Sequence, residues 1–430
     1  MPTIDTPVRS NSAVSSGQHQ NVSSAKQTIE RSTSRALSCL ALAFFTLGAS
    51  SLCVVGAFDY IATEWHLSRT ATALLVTAFS GTLGLCAPLL QMLVGHWPRR
   101  SQILTGISVM ATGSMVIAVA PNYPVLFAAR ILMGLGAALA GPMILALGST
   151  LVEPHLQGRA LATVMMGITV ASVASVPAST WAAAHIGPRW LFASIGFTTF
   201  IAVALIAFFV QNRSPGVRVK LAQFVDLVRR PANITGLSVV FCSMAGSFIT
   251  YTMITPIMRD RYSAGPHLIS VALLVYGIAG IAGNLIVGRA ATSFSAERLL
   301  AMAMVVLVIV FAALLILPIS IMAMLVALTI WPAMVAIILP SQQRRMVELE
   351  PRFRDIALAL NSTFLFFGMA AGSFFGGVSY SLFGYSSLLI CSILLTCIGL
   401  VALRHSKRAK ALQTMNLSAA QLPGMSAQPQ

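Results

Sequence analysis

The sequence predicts an all-α, polytopic membrane protein: twelve transmembrane helices in two pseudo-symmetric six-helix bundles. Three observations carry that prediction. The 430 residues are 57% hydrophobic and 9% charged, whereas a soluble domain carries about 25% charged residues. Apolar stretches near the length needed to cross a bilayer, about 20 residues, recur twelve times. Lys and Arg gather on alternate connections between these stretches, as the positive-inside rule requires.

Taken in order, residues 1–35 are rich in Ser, Gln and Thr and cannot bury a core, so a disordered cytoplasmic tail is expected. This segment lacks the short apolar core and cleavage site of a signal peptide, so the first apolar stretch is expected to be an uncleaved span. The N-terminal bundle (residues 36–210) holds spans at Ala36–Phe58, Thr72–Val94, Ile103–Ala120, Val125–Leu151, Ala160–Ala184 and Trp190–Val210. The C-terminal bundle (232–404) holds Thr235–Ile257, Leu268–Ala291, Leu299–Leu317, Met322–Leu339, Ile356–Tyr380 and Ser387–Leu403. Residues 405–430 form a second cytoplasmic tail.

With the N-terminus inside, 22 of the 27 Lys and Arg fall on cytoplasmic pieces. Only Arg69, Arg189, Arg259 and Arg261 fall outside, and Arg130 lies within a span. The net charge of +16 is therefore topogenic, and nucleic-acid binding is not expected. The expected surroundings are a lipid bilayer, in particular a bacterial inner membrane, and the expected state is a monomer. The connection at 211–231 is the longest internal one. Its Leu221, Phe224, Val225 and Val228 recur at i, i+3, i+4 and i+7, which suits either a helix on the inner membrane surface or a solvated linker.

Arg130 is the sole charge between Val125 and Leu151. A charge in hydrocarbon costs several kcal/mol or more, so such a residue is expected to face the bundle interior or a wet cavity. It serves either to hold helices together through carbonyls or to act in function. Gly167, Ala171, Ser175 and Ser179 recur every fourth residue, as do Gly368, Gly372 and Gly376, a spacing that lets helices approach closely. Pro177 adds an expected kink. Asn284, Asn361 and Gln91 are intramembrane amides, a type that often bonds helix to helix. Tyr251 suits a membrane-interface belt. The six cysteines lie in apolar segments with no Cys/His cluster, so no metal site or cofactor is expected.

Two loops look like copies: Gln91-Met-Leu-Val-Gly-His-Trp-Pro-Arg-Arg100 after the second span, and Gly283-Asn-Leu-Ile-Val-Gly-Arg289 after the eighth. Here the sequence resembles the major facilitator superfamily, in particular its twelve-span drug:proton antiporter branch of arabinose-efflux-type permeases. The family's loop pattern G-x-L-A-D-R-x-G-R-R keeps Leu93, Arg99 and Arg100, with Gln91, Gly95 and Pro98 at the two glycines and the Asp. Its fourth-span pattern R-x-x-x-G-x-G matches Arg130, Gly134 and Gly136. Its fifth-span antiporter pattern keeps Gly167 and Pro177. Arg189 to Phe192, Tyr251-Thr252 with Pro256, Gly283-Asn284 with Gly288-Arg289, and Asn361-Ser362 with Gly368, Gly372, Gly376 and Gly377 extend the likeness over residues 36–404.

The resemblance implies a small-molecule transporter working by alternating access. It gives Arg130 a coupling role between protons and solute, and gives Arg99, Arg100 and Arg289 a gating role. It places Tyr251 near the outer cavity. All eleven acidic residues lie in tails, loops or span ends. Where proton-coupled relatives carry a first-span carboxylate this chain has Ser51, and Asp59 is the nearest substitute. Three activities stay open: export of a solute in exchange for protons, facilitated passage or exchange without protons, and a transporter-like sensor or scaffold. No nucleophile–base pair or phosphate loop is present, so an enzyme is not expected.

Overall fold

The computed structural model describes residues 31–211, 215, 221–318 and 320–420. Most of the expected tail at 1–35 lies outside the described residues, but its last residues are helical, because α1 begins at Arg31 (Arg31–Gly56). There follow α2 (Phe58–Glu64), α3 (Arg69–Val94), α4 (Arg99–Ala118), α5 (Tyr123–Thr150), α6 (Gln157–His185), α7 (Pro188–Phe209) and the short α8 (Leu221–Arg229). The second half repeats the plan with α9 (Pro231–Thr252), α10 (Ile254–Tyr262), α11 (Pro266–Ala290), α12 (Ala296–Ile316), α13 (Ile321–Leu349), α14 (Arg354–Phe383) and α15 (Tyr385–Ala420). Among the described residues, 12 of these helices are long and apolar enough to cross a membrane, in the expected order. We call the end that carries α8 and the start of α1 the terminal end, and the end that carries α2 and α10 the distal end.

Several boundaries differ from the hydropathy reading, for local reasons. The seventh span does not continue to Ile257 as one helix, since α9 stops at Thr252. Pro256 has no N–H for the Thr252 carbonyl four residues back, and its ring crowds that carbonyl. The first span breaks at Ala57 in the same relative place, where Gly56 lies against α6: a Cβ there would sit 2.3 Å from the Val176 carbonyl oxygen. Thus α1–α2 and α9–α10 are repeats of one another. By contrast Pro177 lies inside a helix that runs unbroken over Gln157–His185.

Within each half helices meet along unusually close seams. In the C-terminal half, Cβ atoms built at Gly368, Gly372 and Gly376 of α14 would lie 2.4–2.5 Å from the carbonyl oxygens of Phe241, Ala245 and Ile249 on α9. Each rung is four residues from the next on both helices, so the backbones touch along one stripe. In the N-terminal half, Gly167 of α6 meets Ala41 of α1 more tightly still, with an added Cβ only 1.9 Å from the Ala41 carbonyl oxygen. The expected stripe on the fifth span is thus a packing face, with Ala171, Ser175 and Ser179 all buried.

At the terminal end α8 forms, but its apolar face rests on protein. Phe224 and Leu227 are buried and pack with Leu237, Met346, Ala357 and Leu360, while Val225 is exposed. The chain is held there by Glu350, which is 6% exposed. It accepts from Arg230 Nη1 at 2.9 Å on both carboxylate oxygens and from Asn233 Nδ2 at 2.8 Å. Glu350→Gln is expected to lower stability by about 1–3 kcal/mol, less than for a fully buried pair because Arg230 keeps solvent and Asp226. A melting curve in detergent reads this, and an unchanged midpoint would remove the role.

Candidate functional site: a buried arginine and a distal ion-pair network

Arg130 is fully buried in the N-terminal half. Its Nε donates to the Leu75 carbonyl of α3 at 3.1 Å, and Nη1 donates to the Ser50 carbonyl of α1 at 2.8 Å. The guanidinium lies 4.7 Å from the Phe79 ring centroid, a favourable cation–π contact. Among the described residues Nη2 has no partner, nor does the nearby Ser50 hydroxyl. The charge therefore ties α5 to α1 and α3 through carbonyls, and keeps one donor unspent. Gly134, one turn along, lets α5 reach α3, since a Cβ there would meet the Phe79 carbonyl oxygen at 2.8 Å.

Asp59 lies in a different place with different partners. It is 12% exposed on α2 and pairs with Arg259 Nη1 of α10 at 3.0 Å. Arg259 Nε donates to Asp260 at 3.0 Å, and Asp260 is also paired with Arg69 of α3. Tyr380 of α14 donates to Asp260 at 3.4 Å and lies under the Arg69 guanidinium, 4.8 Å away. Asp59 and Arg69 belong to one half, Arg259 and Asp260 to the other. Charges thus alternate around a chain of four that crosses the interface twice. Other polar ties join the halves in the same region: Thr255 to the Val55 carbonyl at 2.8 Å, Thr70 to the Gly377 carbonyl at 3.1 Å and Thr77 to the Ala370 carbonyl at 3.1 Å. Beside Asp59 is a cavity of about 170 Å³ lined in part by Tyr60, Thr63, Thr180 and Thr255.

The remaining sequence candidates scatter. Tyr251 is 4% exposed, so it is a core residue of the C-terminal half rather than part of an interface belt. It stacks on Tyr276 at 4.8 Å, and both meet Trp331 edge-on. Asn361 is buried and its Oδ1 has no partner among the described residues. Asn284, expected to bond within the bundle, is exposed. The helix-to-helix contact beside it is made by Gly283, which presses on Ala333. Arg99 donates to the Ala146 carbonyl at 3.1 Å and Arg100 to the Ala207 carbonyl at 2.6 Å. Both acceptors are near C-terminal ends of helices in their own half, where cations are favoured. Arg289 is exposed in the last turn of α11.

Four groups escaped sequence reading. Arg259, Asp260 and Arg69 look like ordinary loop charges, and the signal that would have joined Asp59 to Arg259 is their shared place after the first span of each repeat. Arg345, 1% exposed, is held at the terminal end by Ser406 at 2.6 Å, with Glu297 at 3.5 Å.

The chain matches the model of the Major Facilitator Superfamily over residues 40–235 and again over 236–419. It is 25% identical over 373 residues to the inner membrane transport protein YdhP of Escherichia coli (strain K12), covering 86% of this chain and 96% of that protein. It is 30% identical over 258 residues to a chloramphenicol resistance protein of Streptomyces lividans, covering 58% of this chain and 65% of that one. Its fold superposes on a D-xylose–proton symporter with a TM-score of 0.69 at 15% identity, covering 86% and 96% of the two chains.

Proposed function

Since the chain belongs to the major facilitator superfamily, and is a transporter rather than an enzyme, we propose that it exports a small organic solute by alternating access, in exchange for protons. The membrane is a bacterial cytoplasmic membrane, with both termini in the cytoplasm, a reading that the Lys and Arg distribution supports. The protein works as a monomer in the lipid bilayer. One observation carries this reading: ion pairs and hydroxyl bonds tie the two halves together around the distal end. With the termini inside, that end is the outer gate, and the structure is the state that loads solute from the cytoplasm. Rocking of one repeat against the other then exposes the solute outward. The chloramphenicol resistance relative supports export of a drug-like compound; a sugar or another metabolite is the alternative.

A second reading, passage without proton coupling, is favoured by the position of the carboxylates. Among the described residues they lie in connections, short helices and span ends. Inverted membrane vesicles with an imposed proton gradient separate the two. Solute-dependent collapse of the gradient is expected for the exchanger. Labelled solute crossing a steady gradient would establish the second reading, and a broad panel in which nothing crosses would overturn both.

A further inference from the structure

We propose that Asp59 is a proton-binding site linked to the distal gate: closing the gate takes up a proton there, so acid favours the closed state. The inference rests on the transport reading above, and it places the proton at a group outside the apolar spans.

The four charges of the network are not equivalent. Asp260 receives Arg69, Arg259 Nε and the Tyr380 hydroxyl, so it holds the halves together and stays compensated. Asp59 is more buried, at 12% against 30% for Asp260, yet among the described residues it has one ion-pair partner. That partner, Arg259, is shared with Asp260 and is 46% exposed. A buried carboxylate with half a counter-ion is the group on which a proton settles most readily. The closed arrangement tolerates this proton, because Arg259 keeps Asp260 and the Arg69–Asp260 pair still crosses the interface. The cavity beside Asp59 has room for a few waters at about 30 Å³ each, a route by which a proton reaches the carboxylate without opening the gate.

The groups facing Asp59 are Tyr60 from its own helix, Arg69 from α3, and Arg259 and Asp260 from α10; Tyr380 of α14 acts through Asp260. α6 and α11 bring Thr180, Pro266 and Ile269 to the cavity, and Arg189 of α7 is held by Glu64. Burial pushes the Asp59 carboxyl up to about 6, with Arg259 and Arg69 pulling it down and Asp260 adding to the rise. In an open gate the carboxyl meets water and returns toward its ordinary value of 3.8. The higher value belongs to the closed state, so proton binding stabilises closure. That stabilisation is complete below the open-state value and is lost as pH rises through about 6. The closed-to-open ratio is expected to rise about tenfold from pH 8 to pH 5.

The test is a distance distribution between spin labels carried on unnatural amino acids at Ile186 and Phe383, exposed positions near the distal ends of the two halves. Full-length protein in lipid nanodiscs is measured from pH 5 to pH 8 without solute. The wild type is expected to shift toward the short distance in acid, and Asp59→Asn to stay short at every pH. A pH response retained in Asp59→Asn, or absent in the wild type, overturns the proposal. Arg259→Gln removes a group that lowers the Asp59 value, so its midpoint is expected above that of the wild type; an unchanged or lower midpoint also overturns it. Replacing His66, His185 and His267 together by Gln is expected to leave the response intact, and its loss would reassign the proton to histidine. This readout contains no solute, so a chain that moves nothing in vesicles still passes it. A proton-coupled exporter whose proton sits elsewhere fails it.

Discussion

Gly167→Val is expected to abolish recovery of folded protein, while Ala in place of Gly158, nine residues earlier on the same helix, is expected to leave it unchanged. At Gly167 even one added carbon lies 1.9 Å from the Ala41 carbonyl oxygen, 2.8 Å from its carbon and 3.0 Å from the Phe45 nitrogen. All three are backbone atoms, so no side chain can turn aside, and α1 and α6 must separate along their length. Strain of that kind belongs with the largest single-residue effects, above about 4 kcal/mol. At Gly158 nothing among the described residues lies within 4 Å of an added Cβ. Size-exclusion chromatography and a melting curve in detergent compare the two, and a folded Gly167→Val of normal stability would mean that the α1–α6 seam is not as close as described.

The second large effect concerns transport. Arg130→Met is expected to reduce solute flux by about 100-fold, since each of the two hydrogen bonds from the charged group contributes about 1.5–3 kcal/mol where it is used. Its effect on stability is expected to be small, because an apolar side chain of similar reach removes the cost of burying an unpaired charge. The Ser50 and Leu75 acceptors are backbone carbonyls within helices and need no replacement donor. Arg130→Lys is expected to behave like Arg130→Met in transport, because a point ammonium cannot serve both carbonyls in the planar geometry of the guanidinium. Wild-type flux in Arg130→Met would reduce Arg130 to a structural tie.

Much of this architecture can be read from the sequence because lipid imposes length and polarity on each span. Arg130 was legible for the same reason, since a lone charge in an apolar stretch has to be explained. The glycine stripes were legible as a spacing, and the Gly368–Gly372–Gly376 ladder against α9 has the expected form. What hydropathy misses is decided by contacts remote in sequence. Asp59 and Arg259 are 200 positions apart in the numbering, and no local pattern brings them together. Asn284 and Asn361 have similar apolar surroundings in sequence, yet one is exposed and the other buried, because helix rotation is set by the closest small residues. The partners of Arg99 and Arg100 were missed because backbone carbonyls are available everywhere and leave no mark in composition.

The docking of α8 onto the second half sets a mechanical limit on the transport cycle. Phe224, Leu227 and the Arg230–Glu350 pair moor the connection to the C-terminal half, so the covalent link between the halves runs from Val210, just past α7, to Leu221. Ten residues separate those two positions, and a fully stretched chain advances at most about 3.6 Å per residue. The tether therefore caps the separation of its two mooring points at about 40 Å. Cutting residues out of it would shorten the stroke of the machine before it disturbed either half.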